Sequence, residues 1–208
     1  MQTAGFTLVE LLIVVAVIGI VLALTLPGLT NLDNVSLTDD SRRLTAALEK
    51  ASETAMIEDS PIGIRFYSKS DQNSTKGFVA YQLVRLSQNP SGISPTLEEQ
   101  AFADLESLSE GIVIVDEERF SSIVTDSDLA CDLATADTNQ FAKCFGFEFL
   151  PNGETTLPIN QTPDGEPMLW FLTLASKKAL AAQDGDLPSN FITIAVDPST
   201  GALRQFQP

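Results

Sequence analysis

One carboxylate, two thiols and three acidic clusters are the groups in this 208-residue sequence best placed to do chemistry. Glu10 is the single charge among residues 1–29, a stretch that holds 20 apolar side chains. An acid within such a run costs roughly 2.5 to 3.5 kcal/mol at the centre of a membrane helix, so it is a functional candidate that needs a partner, with snorkelling to the headgroups as the alternative. Cys131 falls in the acidic stretch Asp126 to Lys143 and Cys144 directly follows it, with no Cys-x-x-Cys spacing. The chain has no His at all. Imidazole-based zinc sites, His acid–base catalysis and Ser/His/Asp or Cys/His nucleophiles are therefore excluded. No catalytic constellation remains, so the chain is not expected to be an enzyme, and neither a cofactor nor a metal is expected.

The acidic clusters are Asp116-Glu117-Glu118, Asp126-Ser127-Asp128 and Asp184-Gly185-Asp186. Hard cations such as calcium need several oxygen ligands on a tight loop, and none of the three has the EF-hand pattern. A solvated acidic face is the expected reading, with calcium unlikely. The whole chain carries 12 Lys+Arg against 28 Asp+Glu, a net charge of −16, yet its mean hydropathy is +0.11. Taking out Glu10 leaves 12 − 27 = −15 on residues 30–208. A nucleic-acid partner is not expected on such a surface, because phosphate binding needs clustered Lys and Arg. Lys177-Lys178, read as part of a surface loop, is too small a patch, and Trp170 reads as a core anchor.

The element that must carry Glu10 is an apolar helix. Leu11 to Leu24 has no polar side chain, and Phe6 to Leu29 makes 24 residues, about 36 Å as a helix, against a bilayer core of about 30 Å. Membrane insertion is expected, rather than burial as a core helix. The run ends in Thr25-Leu26-Pro27-Gly28 with no small-residue cleavage site after it, unlike a secretory signal. Gly19 and Pro27 interrupt it, as points of close packing or exit from the bilayer.

The small residue stands in front instead. Gly5-Phe6-Thr7-Leu8-Val9-Glu10 followed by the apolar run resembles the prepilin signal of type IV pilins and type II secretion pseudopilins. That resemblance implies cleavage by a prepilin peptidase between Gly5 and Phe6 and N-methylation of the new amine. It implies that Glu10 pairs with the Phe6 amine of a neighbouring subunit during filament assembly, offsetting burial of both charges. It also makes Gly19 and Pro27 the brackets of a segment that melts on assembly. Residues 1–5 have no Lys or Arg, which such leaders usually carry, and the first basic residue is Arg42. If the remainder is exported, a disulfide between Cys131 and Cys144 is the expected state, worth about 3 kcal/mol for a loop of this size, with two unlinked thiols as the alternative.

Beyond the span, Leu37, Leu44, Leu48, Ala51 and Ala55 share one helical face, with Ser36 or Thr38 as its cap and Pro61 as its stop. One long, bent helix from Phe6 to about Glu58 is expected. The period then changes to two. Ile62, Ile64 and Phe66 alternate with Gly63 and Arg65, and Phe78 to Leu86 completes a hairpin. Further strands are expected at Ile112 to Val115, Phe145 to Leu150, Met168 to Leu174, Phe191 to Val196 and Ala202 to Phe206, with turns at Pro151 to Gly153 and Asp197 to Gly201.

The expected fold class is α+β, a pilin-like long N-terminal helix packed on an antiparallel β-sheet domain. Its segments are a leader (1–5), a membrane and filament-core segment (6–29), an amphipathic continuation (30–58) and a globular β domain (59–208). The Ala-rich helix end, Pro61-Ile62-Gly63-Ile64, Pro151-Asn152-Gly153-Glu154 and the terminal hairpin resemble H-type minor pseudopilins of type II secretion. Arg65-Phe66-Tyr67, Ala80-Tyr81-Gln82, Trp170 to Leu174 and Asn190 to Ile194 are similar to the pilin-like D component of Verru_Chthon cassettes. The resemblance implies a filament subunit in the bacterial inner membrane with its domain in the periplasm. Its implied partners are other pilin or pseudopilin subunits and a prepilin peptidase. A membrane-tethered binding module or adhesin exported by the same signal is the alternative.

Overall fold

The computed structural model describes residues 8–29, 32–69, 77–89, 96–131, 140–160, 168–183 and 186–208, excluding the side chains of Gly19, 21–29, 32–33, 87–89 and 96–98. The chain divides into two units, Met1–Val35 and Ser36–Pro208. Within the first lies helix α1, Leu8–Leu29. Helix α2 covers Leu32–Glu58, and the point where a single bent helix from Phe6 to Glu58 would join it to α1, Thr30 and Asn31, lies outside the described residues.

In α2 the apolar stripe has the predicted face. Leu37, Leu44, Leu48, Ala51 and Ala55 are all buried in the main core, opposite the inner face of the sheet. The cap was expected too late, because the helix starts at Leu32 and Ser36 and Thr38 lie inside it. The stripe's seven-residue gap between Leu37 and Leu44 is occupied by Asp40 and Ser41, both fully buried. Asp40 accepts from the Ser109 N–H at 2.8 Å and Ser109 Oγ at 3.0 Å, and it pairs with Arg43. Hydrogen bonds and a counter-charge make burial of this carboxylate tolerable. Pro61 does not end the helix. Asp59 turns left-handed (φ 49°) and the Ser60 N–H reaches back to the Ala55 carbonyl at 3.2 Å, the six-to-one bond of a Schellman cap.

Among the described residues nine strands form one antiparallel sheet. They are β1 (Ile62–Lys69), β2 (Gly77–Asn89), β3 (Thr96–Ala101), β4 (Glu106–Ser107), β5 (Ile112–Val115), β6 (Phe141–Phe149), β7 (Trp170–Ser176), β8 (Phe191–Val196) and β9 (Leu203–Phe206). The order is β6-β1-β2-β5-β7-β8-β9, and β3 and β4 also pair with β2. Long β2 therefore has β1 along one side and β3, β4 and β5 in succession along the other. The expected strands are present within a few residues, with β7 starting at Trp170 rather than Met168. Strands β3 and β4 were not expected, and Lys177-Lys178 opens a short helix α3, Lys177–Ala181, rather than lying in a loop.

Phe147 and Phe149 are buried in the main core, and Phe145 packs at its edge, so the aromatic wall expected of β6 is present. The alternation in β1 does not mark one wet face, because Ile62 through Ser68 are buried on both faces. Arg65, only 4% exposed, lies flat on the outer face. It pairs with Glu99 and with Glu148 (3.1 Å), and Nη1 donates to the Phe147 carbonyl at 3.3 Å. Gly146 makes room for it: a Cβ there would sit 2.3 Å from the Ile64 carbonyl oxygen and 2.6 Å from Arg65 Cδ. The two expected turns form. The Gly153 N–H meets the Leu150 carbonyl at 3.0 Å, and Gly201 N–H meets the Asp197 carbonyl at 2.9 Å. Hydrogen bonds from Ser199 hold the Asp197 carboxyl below its usual range.

Candidate functional site

Glu10 lies in the first turn of α1, where the helix dipole favours negative charge. It is exposed, as is every described large apolar side chain from Leu8 to Ile20, ranging from 50% at Val14 to 81% at Leu8. A helix that is apolar on all sides has no face suited to water and must be covered by lipid or by other apolar helices. Gly19 and Pro27 both fall within the helical backbone of α1. Gly5 and Phe6 lie outside the described residues. Among the described residues no helix is long and apolar enough to cross a membrane. The side chains of Gly19 and 21–29 are not among those residues, and the 22-residue sequence of α1 contains one charge, Glu10. The arrangement presents one carboxylate on an apolar rod.

The second candidate is the cysteine pair. Cys131 and Cys144 form a disulfide with Cα atoms 5.2 Å apart. Cys144 is in β6, and the Cys131 N–H donates to the Cys144 carbonyl at 3.0 Å. Beneath the bond is a small outer core of Tyr67, Ala80, Phe141 and Cys144, with the Tyr67 and Phe141 ring centroids 5.1 Å apart.

Other polar clusters are engaged in structure. A cleft of about 390 Å³ beside Trp170 is lined by Glu118, Ser122 and Asp126 among others. There the Phe171 N–H donates to Ser122 Oγ (3.0 Å), Asp126 accepts from the Asp128 N–H (2.9 Å), and Trp170 Nε1 donates to the Pro158 carbonyl (2.8 Å). Trp170 is thus anchored in the core, as expected. A second cleft, about 270 Å³ between α2 and β2, holds Arg43, Lys50, Tyr81 and Glu106. The Tyr81 hydroxyl is pushed well above its usual pKa, by burial first and by Glu106 second. Among the described residues no group of three or more Cys, Asp or Glu could hold a metal ion.

Residues 1–26 match the family model described as the prokaryotic N-terminal methylation motif. No curated protein matches the chain. A solved structure that resembles it is the minor pseudopilin EpsH from the type 2 secretion system of Vibrio cholerae. It is 13% identical, with a TM-score of 0.43 over 83% of this chain and 98% of that one. The amino terminus is therefore of prepilin type, the kind carried by type IV pilins and pseudopilins.

Proposed function

We propose that the chain is a structural subunit of a pilin-like filament, of the minor pilin or minor pseudopilin kind. The observation that carries this reading is α1: an apolar rod whose described side chains are exposed, with one acid in its first turn, most of it within the residues that match a prepilin-type motif. Such a rod is covered by lipid before assembly and by neighbouring rods after it. Prepilin peptidase cuts between Gly5 and Phe6 and methylates the new amine. The mature chain then rests in the inner membrane through Phe6 to Leu29, with the β domain in the periplasm. Glu10 pairs with the Phe6 amine of an adjacent subunit and sets the axial register, since two opposite charges buried in a dry core are tolerable only together.

The test is co-expression with a prepilin peptidase followed by mass spectrometry of the amino terminus. Loss of residues 1–5 and a methylated Phe6 is the expected result, and an intact Met1 in the presence of active peptidase overturns the processing step. Glu10→Ala tests assembly. Crosslinking to other subunits is expected to fall at least about tenfold, the effect of losing an ion pair worth ~1.4 kcal/mol or more, with the melting of the β domain unchanged. Undiminished crosslinking removes Glu10 from the assembly role.

A further inference from the structure

Strand β6 ends one side of the sheet, and the outward groups of such a strand are a template for pairing with another chain. Among the described residues two pieces of non-strand backbone cover it. At its C-terminal end the Thr156 N–H donates to the Glu148 carbonyl (2.9 Å) and the Glu148 N–H donates to Thr156 Oγ1 (2.9 Å). That cover is tied down independently, since both the N–H and Oγ1 of Thr155 donate to the Pro198 carbonyl, each at 3.0 Å. At the other end Ala130 bridges to Phe145, and the Cys131 N–H donates to the Cys144 carbonyl. This second cover has the disulfide as its main tie. Leu129 just before it is held in the main core, so the described part free to lift is Ala130-Cys131.

We propose that the Cys131–Cys144 bond is a redox-removable latch on the β6 edge. A dithiol reductant attacks one sulfur, forms a mixed disulfide and closes to its own disulfide. The protein's S–S bond breaks to two thiols as two electrons and two protons pass to it. Ala130-Cys131 then lifts from Phe145 and Cys144, which uncovers the edge and the small outer core of Tyr67 and Phe141. The rest of the domain stays folded, because α2 and β1, β2, β5, β7 and β8 share the main core, in which neither cysteine takes part.

Hydrogen exchange on the folded, full-length chain in detergent micelles, with and without dithiothreitol, tests this. Exchange in peptides covering Ser127–Cys131 and Phe141–Phe149 is expected to speed up about tenfold or more on reduction, and Cys144 is expected to become open to alkylation. Peptides covering β7 and β8 are expected to keep their protection. Unchanged exchange over Ser127–Cys131 overturns the latch. Loss of protection in β7 and β8 as well also overturns it, since the bond would then be a support of the whole domain. The variant Cys131→Ser/Cys144→Ser is expected to reproduce the reduced pattern without reductant, and an oxidised-like pattern in that variant counts against the proposal.

Discussion

Asp40 shows how a single side chain can bind two elements that sequence periodicity treats separately. It sits on the buried stripe of α2, where a Leu or Ala would be the default, and instead takes both donors of Ser109 from the segment between β4 and β5. Truncation would take from the part-buried Ser109 its acceptor and remove hydrogen bonds to a charged group, a loss of about 1.5 to 3 kcal/mol. Asp40→Ala is expected to destabilise the domain by about 2 to 3 kcal/mol, with Asp40→Asn less damaging because its oxygen can still accept, as read by urea unfolding at neutral pH. A loss under about 0.5 kcal/mol for Asp40→Ala would show that Ser109 is satisfied some other way. The seven-residue gap in the stripe was visible in the sequence, but not that a buried acid fills it. The partner, Ser109, is 69 residues away, and such pairing leaves no local pattern. Arg65 was hidden for the same reason. An alternating Arg reads as solvent-facing until Gly146, Glu99 and Glu148 are brought beside it from two other strands.

At the scale of elements, hydrophobic period did most of the work where segments were apolar. Phe191–Val196 and Ile112–Val115 were legible to the residue, and the stripe of α2 was right in every position named. The misses share a cause. Thr96–Ala101 carries Glu98, Glu99 and Gln100, and Glu106–Ser107 is two residues long, so neither has an apolar signal; both are strands because β2 offers its second side for pairing. For the end of α2 proline is the stronger local signal in the sequence, at Pro61, whereas the chain turns two residues earlier at Asp59. Asp tolerates the left-handed region better than most residues, but glycine has no Cβ to penalise there. Asp59→Gly is expected to stabilise the domain by about 0.5 to 1 kcal/mol, seen as a raised urea midpoint with an unchanged slope. Asp59→Val, branched at Cβ, is expected to lower the midpoint, and equal midpoints for the two variants would contradict the cap.

For the whole molecule, the division into Met1–Val35 and Ser36–Pro208 turns the opening contrast between acidity and hydropathy into a statement about folding. Among the described residues the main core contains α2 from Leu37 onward and residues of the sheet and its loops, and nothing from before Leu37. The described side chains of the first unit's apolar rod are exposed and take no part in that core. A chain beginning at Ser36 is therefore expected to fold by itself with its disulfide formed. It gives up only the first residues of α2, Leu32 to Val35, and frayed helix ends contribute little to stability. Its melting temperature is expected to lie within about 4 °C of the full chain's in detergent, a difference corresponding to roughly 1 kcal/mol or less for a domain of this size. Near-ultraviolet circular dichroism of Trp170, buried and hydrogen-bonded to Pro158, reports whether the native packing is kept. A truncated chain that lacks this signal, or that melts far lower, would mean that residues before Ser36 support the β domain. The proposed separation between a rod that assembles and a domain that folds independently would then fail, and with it the expectation that Glu10→Ala impairs assembly without touching domain stability.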